Sequence, residues 1–194
     1  VQTCALPIFT DFRYVEQARR EASDFTLRQL GRNLLPELAK WLAGEGWSRI
    51  GFESAHWSLL DYQVLSGQVP AERLMPQAGM VERLRCVKEP EEIERIARAA
   101  AITDRAWARL LPSIGEGVPE RDLAAELDYL LRREGADGSS FPTIVASGPR
   151  GALPHGVASD KKIARGDLVV FDFGAEYHGY ASDMTRTVAV GRPG

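Results

Sequence analysis

Apolar residues recur along the chain in two periods, and the change from one to the other organises it. Over 33–43, Leu34, Leu35, Leu38, Trp41 and Leu42 fall at helical spacing and predict a helix with one apolar face. Asn33 is placed to cap it, Pro36 limits where its first turn can begin, and Gly44 and Gly46 end it. A short strand leads through 9–14 into a polar helix at 15–22. Further strands are expected at 25–29 and 49–52, and a further helix at 57–65. Strands alternating with helices over so short a span predict a small α/β unit. The stretch 69–84, with Pro70, Pro76 and Gly79, reads as irregular, and a domain boundary is expected at about Val81.

Longer helices follow. Pro90 suits a first helical turn, and Glu91 and Glu92 complement the helix N-terminus. The helix is predicted to reach about Leu111, burying Ile93, Ile96, Ala97, Ala100 and Trp107, with Arg95, Arg98 and Arg105 on a solvated face. After a turn at Gly115-Glu116-Gly117, Pro119 opens a second helix to Glu134 that buries Leu123, Leu127, Leu130 and Leu131, with Gly135 as its stop. Neither helix carries an obvious catalytic group.

Past Gly138 the period shortens to two. Two β-rich runs, 168–173 and 180–190, flank a Gly-containing connection and read as a hairpin. Each run holds one Asp among apolar and β-branched residues, where a charge is costly to bury without a partner. With the turn centred on Tyr177-His178, Asp172 lies opposite Asp183, and directly opposed Cβ atoms stand ~5 Å apart. Two facing carboxylates repel, and a pair of divalent cations, which lie roughly 3.5–4 Å apart in dinuclear sites, would relieve the repulsion. The plainer alternative is that one Asp caps the turn and the other pairs with Arg186. Spacing alone leaves both open.

Composition narrows the classes. With 44% hydrophobic and 26% charged residues over 194 positions, the chain is ordinary globular material for one large or two small domains. A formal charge of −3 gives no electrostatic case for nucleic acid or for an anionic membrane. No apolar run approaches the ~20 residues of a membrane helix, no secretory signal is legible, and two Cys cannot form a disulfide framework. A cytoplasmic location is therefore expected. Residues 1–8 match what one reading frame of a sequencing adapter would encode and are expected to be a scar, which would make Cys4 non-native. Together with the stop at Gly191-Arg192-Pro193-Gly194, this predicts a fragment cut at both ends.

The residue string says more than the spacing. Asp172-Phe173-Gly174-Ala175, followed by Gly179-Tyr180-Ala181-Ser182-Asp183-Met184-Thr185-Arg186-Thr187, resembles the first metal-ligand segment of the pita-bread metallopeptidases. Within that family it is most similar to the aminopeptidase P and Xaa-Pro dipeptidase (prolidase) branch. The run from Glu82 to Ile93 resembles the family's passage into its catalytic domain, and Phe9-Thr10-Asp11-Phe12-Arg13-Tyr14 resembles a strand end of its N-terminal domain. The fold so implied is α/β: a partial creatinase-like N-terminal α/β domain at 9–80, then the first half of a pita-bread (α+β) catalytic domain at 81–194.

The resemblance also implies a site. Five ligands hold two metals in the family, and this chain offers Asp172 and Asp183, with a His and two Glu expected beyond Gly194. Hard oxygen donors suit Mn²⁺ first, with cobalt and zinc as alternatives, and there is no Cys cluster or His-Glu-x-x-His zinc motif. His155, in Pro154-His155-Gly156, matches the catalytic and substrate-binding His that stabilises the tetrahedral intermediate. Phe141, within 139–148, falls in the strand and loop that wall the substrate pocket, core packing being its plain alternative. His178 is expected to be solvated, and His56 and the Trp residues near it to pack or face solvent. The implied activity is metal-dependent exopeptidase cleavage of the bond preceding proline, on peptides with proline at the second position. Aminopeptidase and dipeptidase action are not separated, homodimers are common in the family, and the fragment by itself is expected to be inactive. Methionine aminopeptidase is disfavoured by the preceding α/β domain, and metal-free creatinase chemistry by retention of both Asp. A non-catalytic pita-bread module that binds peptides or proteins is the alternative from another class.

Overall fold

The computed structural model describes residues 7–192. Residues 1–6, most of the expected adapter scar, lie outside the described residues, while Ile8 opens the first strand. Along the chain, two compact units divide between Val87 and Lys88.

In the first unit, β1 (Ile8–Thr10), α1 (Val15–Glu21), β2 (Leu27–Gln29), α2 (Leu34–Gly44), β3 (Ile50–Glu53), α3 (Leu59–Ser66), β4 (Leu74–Gln77) and α4 (Met80–Cys86) follow in order. β1 pairs with β2 and β3 with β4, both parallel, which the intervening helices make feasible. Ala39, Leu65, Val69 and Leu74 are buried at the centre, with Leu42, Ile50, Phe52 and Trp57 packed around them. Ser58 and Asp61 close α3 with a reciprocal capping box. Asn33 does stand at the start of α2, but its side chain makes no capping bond.

The irregular reading of 69–84 is corrected by β4 and α4. Pro76 is accommodated because β4 pairs on one edge only among the described residues, leaving its ring no ladder bond to break. α4 carries Met80, Val81 and Leu84 at helical spacing, yet all three are exposed.

In the second unit, α5 (Pro90–Leu110) and α6 (Glu120–Arg133) precede β5 (Gly138–Ser139), β6 (Ile144–Ser147), β7 (Leu168–Phe173), β8 (Ala175–Tyr177), β9 (Tyr180–Ala181) and β10 (Met184–Ala189). The strands form two antiparallel sheets, ordered β10-β7-β6 and β5-β8-β9. Leu123, Leu127, Leu130 and Leu131 of α6 pack with Val145, Val169, Phe171 and Phe173, as helical and alternating periods demand. Alternation therefore turns Val170 and Asp172 to the other face of β7.

The expected buried face of α5 is corrected. Ala99, Ile102, Thr103, Ala106 and Leu110 are buried, whereas Ile93 and Ala97 are exposed and Ile96, Ala100 and Trp107 flank the buried stripe. The buried stripe mixes Ala99, Thr103 and Ala106 with Ile102 and Leu110, so the expected face was out of phase with the real one. Thr103 is tolerated because its hydroxyl bonds the Ala99 carbonyl (3.0 Å) and pairs with Ser182 Oγ (2.6 Å). Nor is Arg105 merely solvated: it and Arg109 hold Glu134 (2.7 and 2.6 Å), joining α5 to the end of α6.

Candidate metal centre

The two Asp residues occupy neighbouring strands, in a register different from the expected one. Asp172 of β7 faces Thr185 of β10, and Phe173 faces Met184. The pairing continues in step through β8 and β9, where Tyr177 faces Tyr180. His178 and Gly179 form the turn, with φ of 48° and 78°. A two-residue turn with both φ positive matches strand twist, and Gly179 takes its place without a Cβ penalty. A turn at Tyr177-His178 would have forced Tyr177 into that conformation. Asp183 consequently falls level with Gly174, and it stands diagonally from Asp172 instead of opposite it. Diagonal positions on one face lie roughly 7–8 Å apart.

Each carboxylate is placed by identifiable contacts. The Thr185 hydroxyl donates to Asp172 Oδ1 (3.0 Å). Ser182, beside Asp183, is buried; its Oγ accepts the Ala175 N–H (2.9 Å) and pairs with Thr103, while its carbonyl accepts from Ser140 Oγ (2.9 Å). Gly174 makes this approach feasible, since a Cβ there would stand 1.9 Å from the Ser182 carbonyl oxygen. Neither Asp172 nor Asp183 forms an ion pair among the described residues, and Arg186 donates instead to the Thr185 carbonyl (2.9 Å). Asp172 is half-buried and Asp183 exposed, so carboxylate oxygens remain for a hard divalent cation. The donor set fits the metal reading and not the Arg186 alternative.

Backbone pairing relates the His155 loop to Asp172 across β6. Val157 bridges Ile144 on β6, Ile144 pairs with Asp172, and Asp172 pairs with Thr185. Val157, Ile144, Asp172 and Thr185 thus form one row across four backbones, with steps of roughly 4.8 Å. His155, exposed, lies two residues from that row, and its carbonyl accepts the Val157 N–H (2.9 Å). Gly156 is buried, and a Cβ there would meet Ala146 Cβ at 2.9 Å, so the loop lies flat against β6 directly after His155.

Phe141 is half-buried and falls outside the hydrophobic core cluster. Asp128 Oδ1 of α6 accepts from Ser139 Oγ (2.8 Å) and Thr143 Oγ1 (2.5 Å), holding the segment on both sides of it. His178 is exposed in its turn.

Two features escaped the sequence reading. Glu120, the first residue of α6, is fully buried and takes five hydrogen bonds. Burial pushes its carboxyl up, but bonds from Ser159 and Ser147 outweigh this and hold it below the ordinary value of 4.5. Its donors come from distant residues, so only its place beside Pro119 could have hinted at a role. In the first unit, Glu53, His56 and Glu82 gather exposed ligand atoms within 4.8 Å of one another, and His56 Nε2 stands 3.0 Å from Glu82 Oε1. The nearby aromatics Phe9, Trp41, Trp47, Phe52 and Trp57 line an apolar groove of about 480 Å³ that contains none of the four candidate residues.

A sequence model of Metallopeptidase family M24 matches residues 94–194, over half of the chain. The chain belongs to this family. Its M24 region holds both Asp residues, His155 and Phe141, and a model of the Creatinase/Prolidase N-terminal domain matches residues 4–87. An uncharacterized peptidase of Bacillus subtilis is 46% identical over 184 residues, covering 95% of this chain and 52% of the relative. The Xaa-Pro dipeptidase of Pyrococcus furiosus is 53% identical over 114 residues, covering 59% of this chain and 33% of the relative. The solved Xaa-Pro dipeptidase from Bacillus anthracis superimposes with a TM-score of 0.92 at 42% identity, over 100% of this chain and 54% of that one. The X-Pro aminopeptidase from Thermotoga maritima gives 0.88 at 39% identity, over 99% and 55%. This M24 chain thus spans about half the length of these solved relatives, and it carries a creatinase-type N-terminal region followed by mixed α and β catalytic-domain structure.

Proposed function

We propose that the whole protein is a dinuclear-metal Xaa-Pro peptidase that cleaves the bond preceding proline. The observation that carries this is the pair of carboxylates on neighbouring strands, neither in an ion pair among the described residues, with the row Val157, Ile144, Asp172, Thr185 running from the His155 loop across β6 to one of them. Likeness to enzymes named as Xaa-Pro dipeptidases and an X-Pro aminopeptidase supports the same reading. Asp172 and Asp183 would hold two divalent cations, Mn²⁺ first, with a His and two Glu from the remainder of the protein. Such a pair of cations supplies Lewis acidity and an activated water when bound. His155 donates a hydrogen bond to the oxygen of the scissile carbonyl as negative charge develops there. Phe141 offers apolar surface to the proline ring, whose imide nitrogen has no N–H to satisfy. A cytoplasmic, homodimeric enzyme completes the proposal.

The test uses the full-length protein, Mn²⁺ and an Xaa-Pro dipeptide. Asp172→Asn and Asp183→Asn should each abolish most turnover and lower metal content, since an amide cannot neutralise cations as a carboxylate does. His155→Ala should lower kcat by roughly 10²–10³ with metal content kept. Full activity in either Asn variant would refute the metal assignment.

A further inference from the structure

The segment 147–159 leaves β6, turns through Gly148–Ala152, passes His155 and returns to the start of α6. Both of its ends meet one carboxylate. Glu120 Oε1 accepts the Ser147 N–H (2.8 Å) and Ser147 Oγ (2.8 Å). Oε2 accepts the Ser159 N–H (3.2 Å), Ser159 Oγ (2.6 Å) and Arg150 Nε (3.1 Å). Arg150 also spans the loop, its Nη2 donating to the Val157 carbonyl (2.6 Å).

Among backbone contacts, the Val157–Ile144 bridge ties the returning strand to β6 just past His155. Glu120 N–H to the Lys161 carbonyl and Arg121 N–H to the Ser159 carbonyl (both 3.0 Å) fasten only the returning strand to α6. The carboxylate links that strand to Ser147 and Arg150. Lys161 reinforces the link, its Nζ donating to Ser147 Oγ and Asp167 Oδ2 (both 2.7 Å). A buried ionised carboxylate is costly unless fully paired, and here its lone pairs are filled by groups from both loop ends.

We propose that Glu120 is a positioning residue that acts through His155: by closing the 147–159 loop it fixes the imidazole beside the Asp172 row. The proposal rests on the role given to His155 above. It assigns a function to a helix that holds no reacting group.

Full-length Glu120→Gln decides it. The amide places N–H donors where serines and Arg150 already donate, so the ring should loosen with side-chain size preserved. Amide hydrogen exchange across 148–158 should quicken while β7 and β10 stay protected. Turnover of an Xaa-Pro dipeptide should fall about tenfold to a hundredfold with KM and metal content little changed, as expected of a misplaced catalytic group. In a His155→Ala background the same substitution should cost less than about twofold, because the group it positions is gone. Ser159→Ala and Arg150→Met each remove a tether and leave α6 intact; they should repeat the pattern more weakly and decide the matter should Glu120→Gln not fold. Unchanged loop exchange, unchanged kcat, or an undiminished loss without His155 would overturn the proposal. An unaltered protein inactive on every Xaa-Pro peptide would instead overturn the functional reading, and the exchange result would still decide whether Glu120 holds the loop.

Discussion

Gly174 shows how much of the site depends on a residue with no side chain. It separates β7 from β8 at the level of Asp183, where a Cβ would stand 1.9 Å from the Ser182 carbonyl oxygen and 2.3 Å from Ser140 Oγ. Because the first neighbour is backbone, no rotamer change relieves the contact. Gly174→Ala in the full-length protein should cost about 2–3 kcal/mol, read as a lower denaturant midpoint, and should displace Asp183 with loss of metal affinity. The sequence string made both Asp residues legible, and their parity put them on one face. Their partners were not legible, because the register depended on whether Tyr177 or Gly179 shared the turn. Only the positive φ at His178 and Gly179 decides that. The roles of Glu120 and Asp128 were hidden for another reason: their partners lie far along the chain, so no local pattern announces them.

At the level of elements, apolar spacing placed α2 and α6 well, since large aliphatic side chains mark their buried faces. It misjudged α5, whose buried face sets Ala99, Thr103 and Ala106 among Ile102 and Leu110, and overlooked α4, which buries no residue. What ties α4 into its unit includes a polar contact, His56 with Glu82. The hydrogen bond that His56 Nε2 donates to the Glu82 carboxylate holds the imidazole above its ordinary 6.5, and the same bond holds the Glu82 carboxyl below 4.5. A raised histidine stabilises the fold fully below 6.5, and that contribution fades as pH rises through the higher folded value. Proton NMR of the His56 ring should therefore titrate above 6.5, and Glu82→Gln should return it toward that value. An unmoved midpoint in the variant would remove the pairing. Both groups are solvent-exposed, so added salt should narrow the difference.

For the molecule as a whole, the two faces of the β10-β7-β6 sheet have different occupants. Helices α5 and α6 cover Val169, Phe171 and Phe173, whereas the opposite face presents Asp172, Thr185 and Thr187. Two carboxylates leave most of a cation's coordination shell to water, so the 194-residue chain alone should bind Mn²⁺ far more weakly than the full-length protein and show no Xaa-Pro turnover. Titration calorimetry on both proteins checks this, and tight binding of two ions by the shorter chain would contradict it. A different consequence follows from the ring closed at Glu120. The entropy of closing a flexible ring grows only with the logarithm of its length, each doubling adding about 0.6 kcal/mol. The stretch between Arg150 and Pro154 is thus free to lengthen with little loss of stability, while Ser147, Gly156 and Ser159 are not free to move. Length variation in this loop can reshape what surrounds a substrate without disturbing the imidazole that would face it.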